Sequence, residues 1–532
     1  MSSHATGNDE IRVNTDTTGY RGLSSVAALE GGGWIVTWRS ETQDAGTNGI
    51  YQQQYDAAGN AVGDETRVNA TMAGTQTRQS VTGLEDGGWL VTWTSMDQDG
   101  AAGGIYQQRY DADGETVGSE TRVNSFTTSD QDSPDVVALD DGGWLVTWMS
   151  NQDGGGYGIY QQRYDDGGLA DGSETRVNTF TTTDQFNSQV ARLQDGGWLV
   201  TWTSYDQEGD SFGIFQQRYS NTGITMGGEV HVNTVTTNWQ FGSVATGLLD
   251  GGWIVAWRSD DGGGDGIFQQ RYDSTGAPVD DETQVNTFTT GSQNEGTVTA
   301  LADGGWLVAW TSVAQDSGTH GVYQQRYGAD GEAIGEETLV NIFTTGAQVM
   351  PSVSAFADGS WLVTWASSSH DGSDSTGIYQ RYFAADVEGS DEAETLTGTL
   401  WDERVIGLAG TDRLLGGKGQ DVLEGGLGAD SFVFAKGDTG KTRGAADTIE
   451  DFRHGQHDEI DLSAIDANIR RGKNNAFDFI GDDGFSRAAG ELRYEKRGEE
   501  TYIYGDVNGD RKADFAIHLD GAMKLRAGDF DL

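Results

Sequence analysis

Trp89-Leu-Val-Thr-Trp93, then Ile105-Tyr-Gln-Gln-Arg-Tyr110, then Glu120-Thr-Arg-Val-Asn124 follow one another as three short strand-like segments. Period-2 alternation in the first puts Trp89, Val91 and Trp93 on one face, the mark of a strand. The turn Asp111-Ala-Asp-Gly114 separates the second segment from the third. A Ser25-Val-Ala-Ala-Leu29-like strand precedes each tryptophan segment, with an Asp/Glu-Gly-Gly turn in the first six units and Asp358-Gly-Ser360 in the seventh. Trp-x-x-x-Trp recurs at Trp34/Trp38, Trp89/Trp93, Trp144/Trp148, Trp198/Trp202, Trp253/Trp257, Trp306/Trp310 and Trp361/Trp365. The steps are 55, 55, 54, 55, 53 and 55 residues, so 14 of the 16 tryptophans occupy seven equivalent places. Four short strands per unit, seven times over, predict a β-propeller. A linear stack of repeats is the competing arrangement. The Glu-x-x-Val-Asn strand, however, appears at Glu10 to Asn14 before the first tryptophan pair and is missing after the seventh, where Phe383-Ala-Ala-Asp386 follows Tyr382. Strand 10–14 is therefore expected to complete the last blade and close the ring without open edges.

The chain has 532 residues, room for several domains. Its 33 basic and 83 acidic residues leave a net charge of −50, of which −36 falls in residues 1–385. A surface of that sign argues against nucleic acid or anionic membrane as partner. No lysine precedes Lys418, and the absence of cysteine removes disulfides, thiolate nucleophiles and thiolate metal sites. Eighty glycines and three prolines are too skewed for a helical protein, while 53 aromatic residues (16 Trp, 18 Tyr, 19 Phe) argue against disorder. The N-terminal MSSHATGNDEIRVN has no apolar run of a cleaved secretory signal, and no stretch of apolar residues is long enough to span a membrane. These features predict an acidic, all-β protein.

What repeats reads as scaffold. The recurring Gln-Gln-Arg suits a buried hydrogen-bonded ladder between blades better than a sevenfold ligand site. Function is then expected where the repeat breaks. Two loops per blade share one rim: the loop after Trp-Leu-Val-Thr-Trp and the loop after Val-Asn. Trp239 lies in the second kind of loop, and Tyr205 and Phe212 lie in the first kind of the preceding blade. This trio either stacks on sugar rings or packs the loops themselves. His320 and His370, in corresponding loops of adjacent blades with Asp316 and Asp371 nearby, are the candidate acid/base or metal pair, against a plain reading as solvated loop histidines. His231 takes the Arg place of a Val-Asn strand and reads as structural. Acidic loops such as Asp97-Gln-Asp99, Glu208-Gly-Asp210 and Asp260-Asp261 could offer oxygen ligands to Ca²⁺.

After Asp386 the composition changes. Gly416-Gly-Lys-Gly-Gln-Asp421-Val-Leu-Glu424 and Gly425-Gly-Leu-Gly-Ala-Asp430-Ser-Phe-Val433 are consecutive nonapeptides of the form Gly-Gly-x-Gly-x-Asp-x-U-x, with U apolar. Gly407-Leu-Ala-Gly-Thr-Asp412-Arg-Leu-Leu415 is a third, and degenerate units from Gly389 and Gly398 carry Glu394 and Glu403 at the Asp position. Six residues make a turn exposing carbonyls and one carboxylate, and three make a short strand. Turns alternate between two sides of a flattened coil, so a cation lies between turns eighteen residues apart. That pairs Asp412 with Asp430, and Asp421 with Glu403. Asp412, Asp421 and Asp430, with Gly410, Gly417, Gly419, Gly426 and Gly428, are the candidate Ca²⁺ residues.

This segment resembles the RTX repeat family. Asp447-Thr-Ile-Glu-Asp-Phe452, Gly455-Gln-His-Asp-Glu-Ile-Asp-Leu-Ser463, Asp506-Val-Asn-Gly-Asp-Arg-Lys-Ala-Asp514 and Gly528-Asp-Phe-Asp-Leu532 are similar to the C-terminal domain of serralysin-type metalloproteases. The resemblance implies a Ca²⁺-bound parallel β-roll and export by a type I secretion apparatus that reads an uncleaved C-terminal signal. It makes Asp447 and Asp451 candidates for finishing the last calcium turns. Asp506, Asn508, Asp510 and Asp514 have oxygen-ligand spacing but lack the bidentate Glu of an EF-hand, so an ordinary turn is an equal reading. No His-Glu-x-x-His occurs, so peptidase activity does not carry over.

The expected organisation is a propeller over 1–385, a calcium roll over 386–435 and a serralysin-type domain over 436–532. The protein is expected to be secreted or held at the cell surface. Its propeller would serve as a lectin-like, adhesin or matrix module for a glycan or other cell-surface ligand. The alternative is a polysaccharide lyase or glycosidase using His320, His370 or Arg258, and a purely structural surface component is a third reading.

Overall fold

The computed structural model describes residues 10–532 except 45–46, 99, 101, 153, 208–210, 237, 261, 316–318, 371–374 and 473. Two compact units divide the described chain, Glu10–Arg381 and Tyr382–Leu532.

The first unit is a seven-bladed propeller of four-stranded antiparallel sheets. Blade three shows the pattern: an innermost strand Gln131–Ala138, then Trp144–Ser150, Gly158–Tyr164 and an outer strand Ala170–Arg176. The second strands are buried on both faces because neighbouring blades pack against them, which is why their residues read as an almost unbroken apolar run. In the seventh blade Gln348–Ala355, Trp361–Ser368 and Thr376–Phe383 are completed by Ile11–Arg12. Ile11 pairs with Gln380 and Arg12 with Tyr379, and the Val13 N–H donates to the Ile378 carbonyl at 2.8 Å. The two ends of the propeller chain thus share one sheet.

The Gln-Gln-Arg repeat is the cement between blades. In all seven junctions the indole N–H of the first tryptophan donates to a glutamine Oε1 of the preceding blade, at 2.9–3.1 Å, including Trp34 to Gln380 across the closure. In five of these junctions the arginine that follows lies over the next blade's tryptophan, as Arg218 over Trp253 at 5.2 Å. It also pairs with an aspartate of its own blade, Arg218 with Asp195 at 2.7 Å. The asparagine of each Val-Asn accepts a backbone N–H from the neighbouring strand, for example Ile105 N–H to Asn124 at 2.7 Å.

The second unit is built on two sheets that begin in the nonapeptides. One runs, in spatial order, Val387–Glu388, Arg404–Ile406, Val422–Glu424, Asp447–Ile449, Phe515–Leu519, Glu500–Asp506, Glu491–Arg497 and Asp478–Phe479. The other runs Thr395–Thr397, Arg413–Leu415, Ser431–Ala435, Glu459–Ala464 and Phe530–Asp531. The nonapeptide strands pair in parallel with partners eighteen residues away, such as Leu414 with Phe432. The coil then continues across longer loops, Leu423 pairing with Ile449 and Phe432 with Ile460. Val405, Leu414, Leu423, Phe432, Ile449, Ile460 and Ile517 share one core.

Candidate functional site

The nonapeptide turns stack so closely that Gly417 and Gly426 leave no room for a side chain. Gly417 and Gly426 have φ of 94° and 86°, and a Cβ on either would collide with the carbonyl of the residue eighteen earlier, Thr399 or Leu408. Stacking brings the sixth-position carboxylates into two columns. In one, Asp412 N–H donates to Asp430 Oδ1 at 3.0 Å, and Glu394 N–H donates to Asp412 Oδ1 at 2.8 Å. In the other, Glu403 N–H donates to Asp421 Oδ1 at 3.0 Å, and Asp421 N–H donates to Asp447 Oδ1 at 3.3 Å. Each aspartate therefore spends one oxygen on the backbone of the turn below it.

The second oxygen has no hydrogen-bond partner. Oδ2 of Asp412, Asp421, Asp430 and Asp447 and Oε2 of Glu403 are all buried and unsatisfied. Desolvation, with neighbouring carboxylates adding to it, pushes Asp447 up to about 8 and Asp430 up to about 6, and raises Asp421, Asp412 and Glu403 as well. Buried carboxylate oxygens beside backbone carbonyls fit a hard, oxygen-coordinated divalent cation such as Ca²⁺. Among the described residues no three His, Asp or Glu side chains converge, so carbonyls would have to complete the ligand set.

Asp451 stands differently: both of its oxygens accept backbone N–H groups, from Gly425 and Gly426 at 2.8 Å. Asp458 closes the Asp412/Asp430 column, accepting Asp430 N–H at 3.2 Å and Arg453 N–H at 2.7 Å. Sequence reasoning passed over Asp458. The signal was an Asp-x-apolar triplet, Asp458-Glu-Ile460, of the same kind as Asp412-Arg-Leu414 and Asp447-Thr-Ile449, but without the glycines. Asp506 accepts the N–H groups of Asn508, Gly509 and Arg511, while Asp514 accepts the Asn508 amide, so this segment is a self-bonded turn.

The propeller places a second group of residues together on its rim. Tyr205 and Phe212 are cross-strand partners at the top of the hairpin of blade four, with ring centroids 4.9 Å apart. Trp239 precedes the innermost strand of blade five, and its ring meets Phe212 edge-on at 5.9 Å. The cluster extends to two residues not anticipated from sequence, Phe186 and Phe241, one position inside the innermost strands of blades four and five and 5.4 Å apart. Arg258 lies over Phe241 at 5.2 Å and donates to Asn294 at 3.1 Å. Trp239 is 65% exposed and Tyr205 40%.

No hydrogen bond or ring contact joins His320 to His370 among the described residues. His370 Nε2 bonds Glu10, and its ring lies 4.2 Å from those of Phe343 and Tyr379. It thereby fills the role that Gln43, Gln98, Gln207 and Gln315 play toward Glu65, Glu120, Glu229 and Glu337. His320 sits opposite Val313 at the top of blade six, with its Nδ1 buried and unbonded. His231 Nε2 bonds Asn233 at 3.0 Å and stacks on Phe215. Asp316 and Asp371, like Asp99, Glu208, Asp210 and Asp261 of the acidic loops, lie outside the described residues.

No protein of curated function matches the chain. Among solved structures, a Dyadobacter fermentans protein of unknown function shares 12% identity over 71% of this chain and 98% of its own, at a TM-score of 0.44. An α-L-arabinofuranosidase of Fusarium graminearum, in complex with an iminosugar inhibitor, shares 10% identity over 71% and 98%, at 0.43. A subunit of the Azotobacter vinelandii mannuronan C5-epimerase shares 27% over 27% of this chain and 80% of its own, at 0.18. Likenesses at these scores carry nothing about ligand or activity. Residues 397–531 match the family model described as the peptidase M10 serralysin C terminal.

Proposed function

We propose that the chain is a secreted, calcium-loaded binding protein that takes carbohydrate on the loop-bearing rim of its propeller. The observation that carries this reading is the convergence of Tyr205, Phe212 and Trp239 in one sector, with the indole of Trp239 largely in solvent. A core aromatic is buried, whereas an exposed cluster flanked by Arg258 and Asn294 offers a flat apolar face beside polar groups, the combination that a sugar ring presents in return. With every other tryptophan of the propeller buried in the blades, Trp239 stands apart.

The C-terminal unit serves delivery. Asp412, Asp421, Asp430 and Asp447, with carbonyls of the facing turns, would hold Ca²⁺, whose charge offsets the repulsion among these carboxylates. At low cytosolic calcium the unneutralised columns disfavour closure, and the cysteine-free chain stays fit for a type I exporter; outside, binding and folding are coupled. Among the described residues no helix is long and apolar enough to cross a membrane. A polysaccharide-degrading enzyme acting through His320 and His370 has less support, since His370 is committed to Glu10 in a structural role shared with four glutamines. Adhesin and surface-layer roles are separated by self-association in calcium without ligand.

The test is an array of oligosaccharides probed with calcium-loaded protein. Wild type should bind a defined subset, and Trp239→Ala should abolish that signal while leaving the unfolding temperature unchanged. Binding that survives Trp239→Ala would overturn the placement of the site.

A further inference from the structure

Six of the seven innermost strands of the propeller open on a buried glutamine: Gln76, Gln131, Gln185, Gln240, Gln293 and Gln348, with Arg21 in the first blade. Two residues later, all seven strands bulge, and the bulged residue adopts a left-handed conformation. These residues are Leu23, Arg78, Ser133, Asn187, Gly242, Glu295 and Met350, with φ between 53° and 66°. A left-handed conformation is strained for a bulky side chain. The glutamine two residues earlier recurs in six blades, yet the bulged residue differs in every one. Leu23, Arg78, Glu295 and Met350 keep bulk where glycine or asparagine would relieve the strain.

Together the bulges line a central channel of roughly 460 Å³, a size in the range of small-molecule sites. Two of the chain's three prolines, Pro134 and Pro351, directly follow left-handed residues and stiffen this wall. Hydroxyl and amide side chains, including Ser80, Ser188, Ser243 and Gln189, make up much of the lining. Its charged groups are each held by the protein. Arg78 donates to Ser133 at 2.5 Å and pairs with Asp132 at 3.4 Å. Asp135 accepts from Ser80 at 2.7 Å and from the Val190 N–H at 2.8 Å. Glu295 accepts from the Met350 N–H at 2.8 Å and from Thr311 at 2.9 Å.

Gly242 is the one bulge residue without a side chain, and a Cβ built on it meets nothing within 4 Å. It follows Phe241 directly, so the channel lining is at its barest beside the aromatic sector formed by Phe186, Phe241, Phe212 and Trp239. We infer that the channel, reached beside Gly242, takes the terminal unit of a neutral, polyhydroxylated chain whose preceding unit stacks on the rim aromatics. The protein would then recognise carbohydrate chain ends rather than chain interiors. This inference rests on the carbohydrate reading of the rim.

Gly242→Asn is the discriminating variant, because asparagine tolerates φ near +66° and the space for its side chain is open. Its unfolding temperature, measured beside wild type, reports that the propeller is intact. The probes are short neutral, amino and uronic acid oligosaccharides, arrayed through their reducing ends and also used free in solution. For the neutral chains that bind, Gly242→Asn should weaken affinity by about tenfold or more. A long polymer of the same sugar should compete in proportion to its number of ends, not its mass. If Trp239→Ala abolishes binding while Gly242→Asn binds as wild type, the channel inference falls and the rim reading stands. If Gly242→Asn abolishes binding while Trp239→Ala does not, the rim reading falls. Competition in proportion to polymer mass, a preference for uronic acid chains, or no binding by wild type overturns the inference.

Discussion

Replacing Asp430 with Asn separates a metal-site carboxylate from a structural one, because the two roles predict opposite behaviour with and without calcium. Oδ1 of Asp430 accepts the Asp412 N–H at 3.0 Å, and an asparagine carbonyl can do the same. Oδ2 is buried without a partner, and burial, with Asp458, Asp412 and Asp451 adding to it, raises the carboxyl from 3.8 to about 6. At pH 7 an ionised carboxylate so displaced costs the metal-free fold up to about 3 kcal/mol, at about 1.4 kcal/mol per pH unit of displacement. Asparagine removes that cost. For a unit of this size the C-terminal transition in EGTA should rise by about 6–12 °C. In calcium the variant lacks one anionic ligand, so the calcium-induced rise should shrink and the titration midpoint should move to at least about tenfold higher calcium. Differential scanning calorimetry of the full chain, in EGTA and in near-millimolar calcium, reads both effects. An equal fall in the two conditions, or a calcium midpoint that does not move, would rule out a metal-site role for Asp430.

Acid should stabilise the metal-free C-terminal unit. Asp430 and Asp447 are raised to about 6 and about 8, so their contribution is complete below the ordinary carboxylate range and is lost as pH rises through those values. In EGTA its transition temperature should therefore fall between pH 5 and pH 8, and saturating calcium should flatten or reverse the trend; an EGTA profile that climbs with pH would sink the assignment. In the propeller, Gln161→Leu strips the buried Trp198 indole of its acceptor at 3.1 Å. It should cost about 1–3 kcal/mol in urea unfolding with the slope unchanged, and an unshifted midpoint would show that the inter-blade bond contributes nothing.

The propeller was legible because its repeat is also its physics. Each tryptophan pair must be buried on both faces, and only a ring of sheets buries all seven alike; the displaced strand at Glu10 to Asn14 supplied the closure that a linear stack lacks. The roll was legible while its turns kept an eighteen-residue spacing that stacks glycine on glycine. Beyond Val433 the same coil continues, but loops lengthen the spacing to 26 residues for Leu423 to Ile449 and 28 for Phe432 to Ile460. With the period lost, Asp458 could not be read as a member of the Asp412/Asp430 column. The rim trio was named from sequence, yet its ring contacts with Phe186 and Phe241 follow from blade twist and hairpin height, which no local pattern encodes. His370 shows the converse: in sequence it is one of a rare residue type in a loop, and only the fold sets it against Glu10, 360 residues away, in the place of a structural glutamine. The channel belongs to the fold as well. A bulge needs no signature residue when neighbouring strands force the left-handed turn, so seven unlike side chains conceal one recurring backbone conformation. Which elements form and which faces they bury could be read from local pattern, because those depend on neighbours a few residues apart. Which exposed, non-repeating side chains meet could not, because that depends on distances set by the closure of the whole ring.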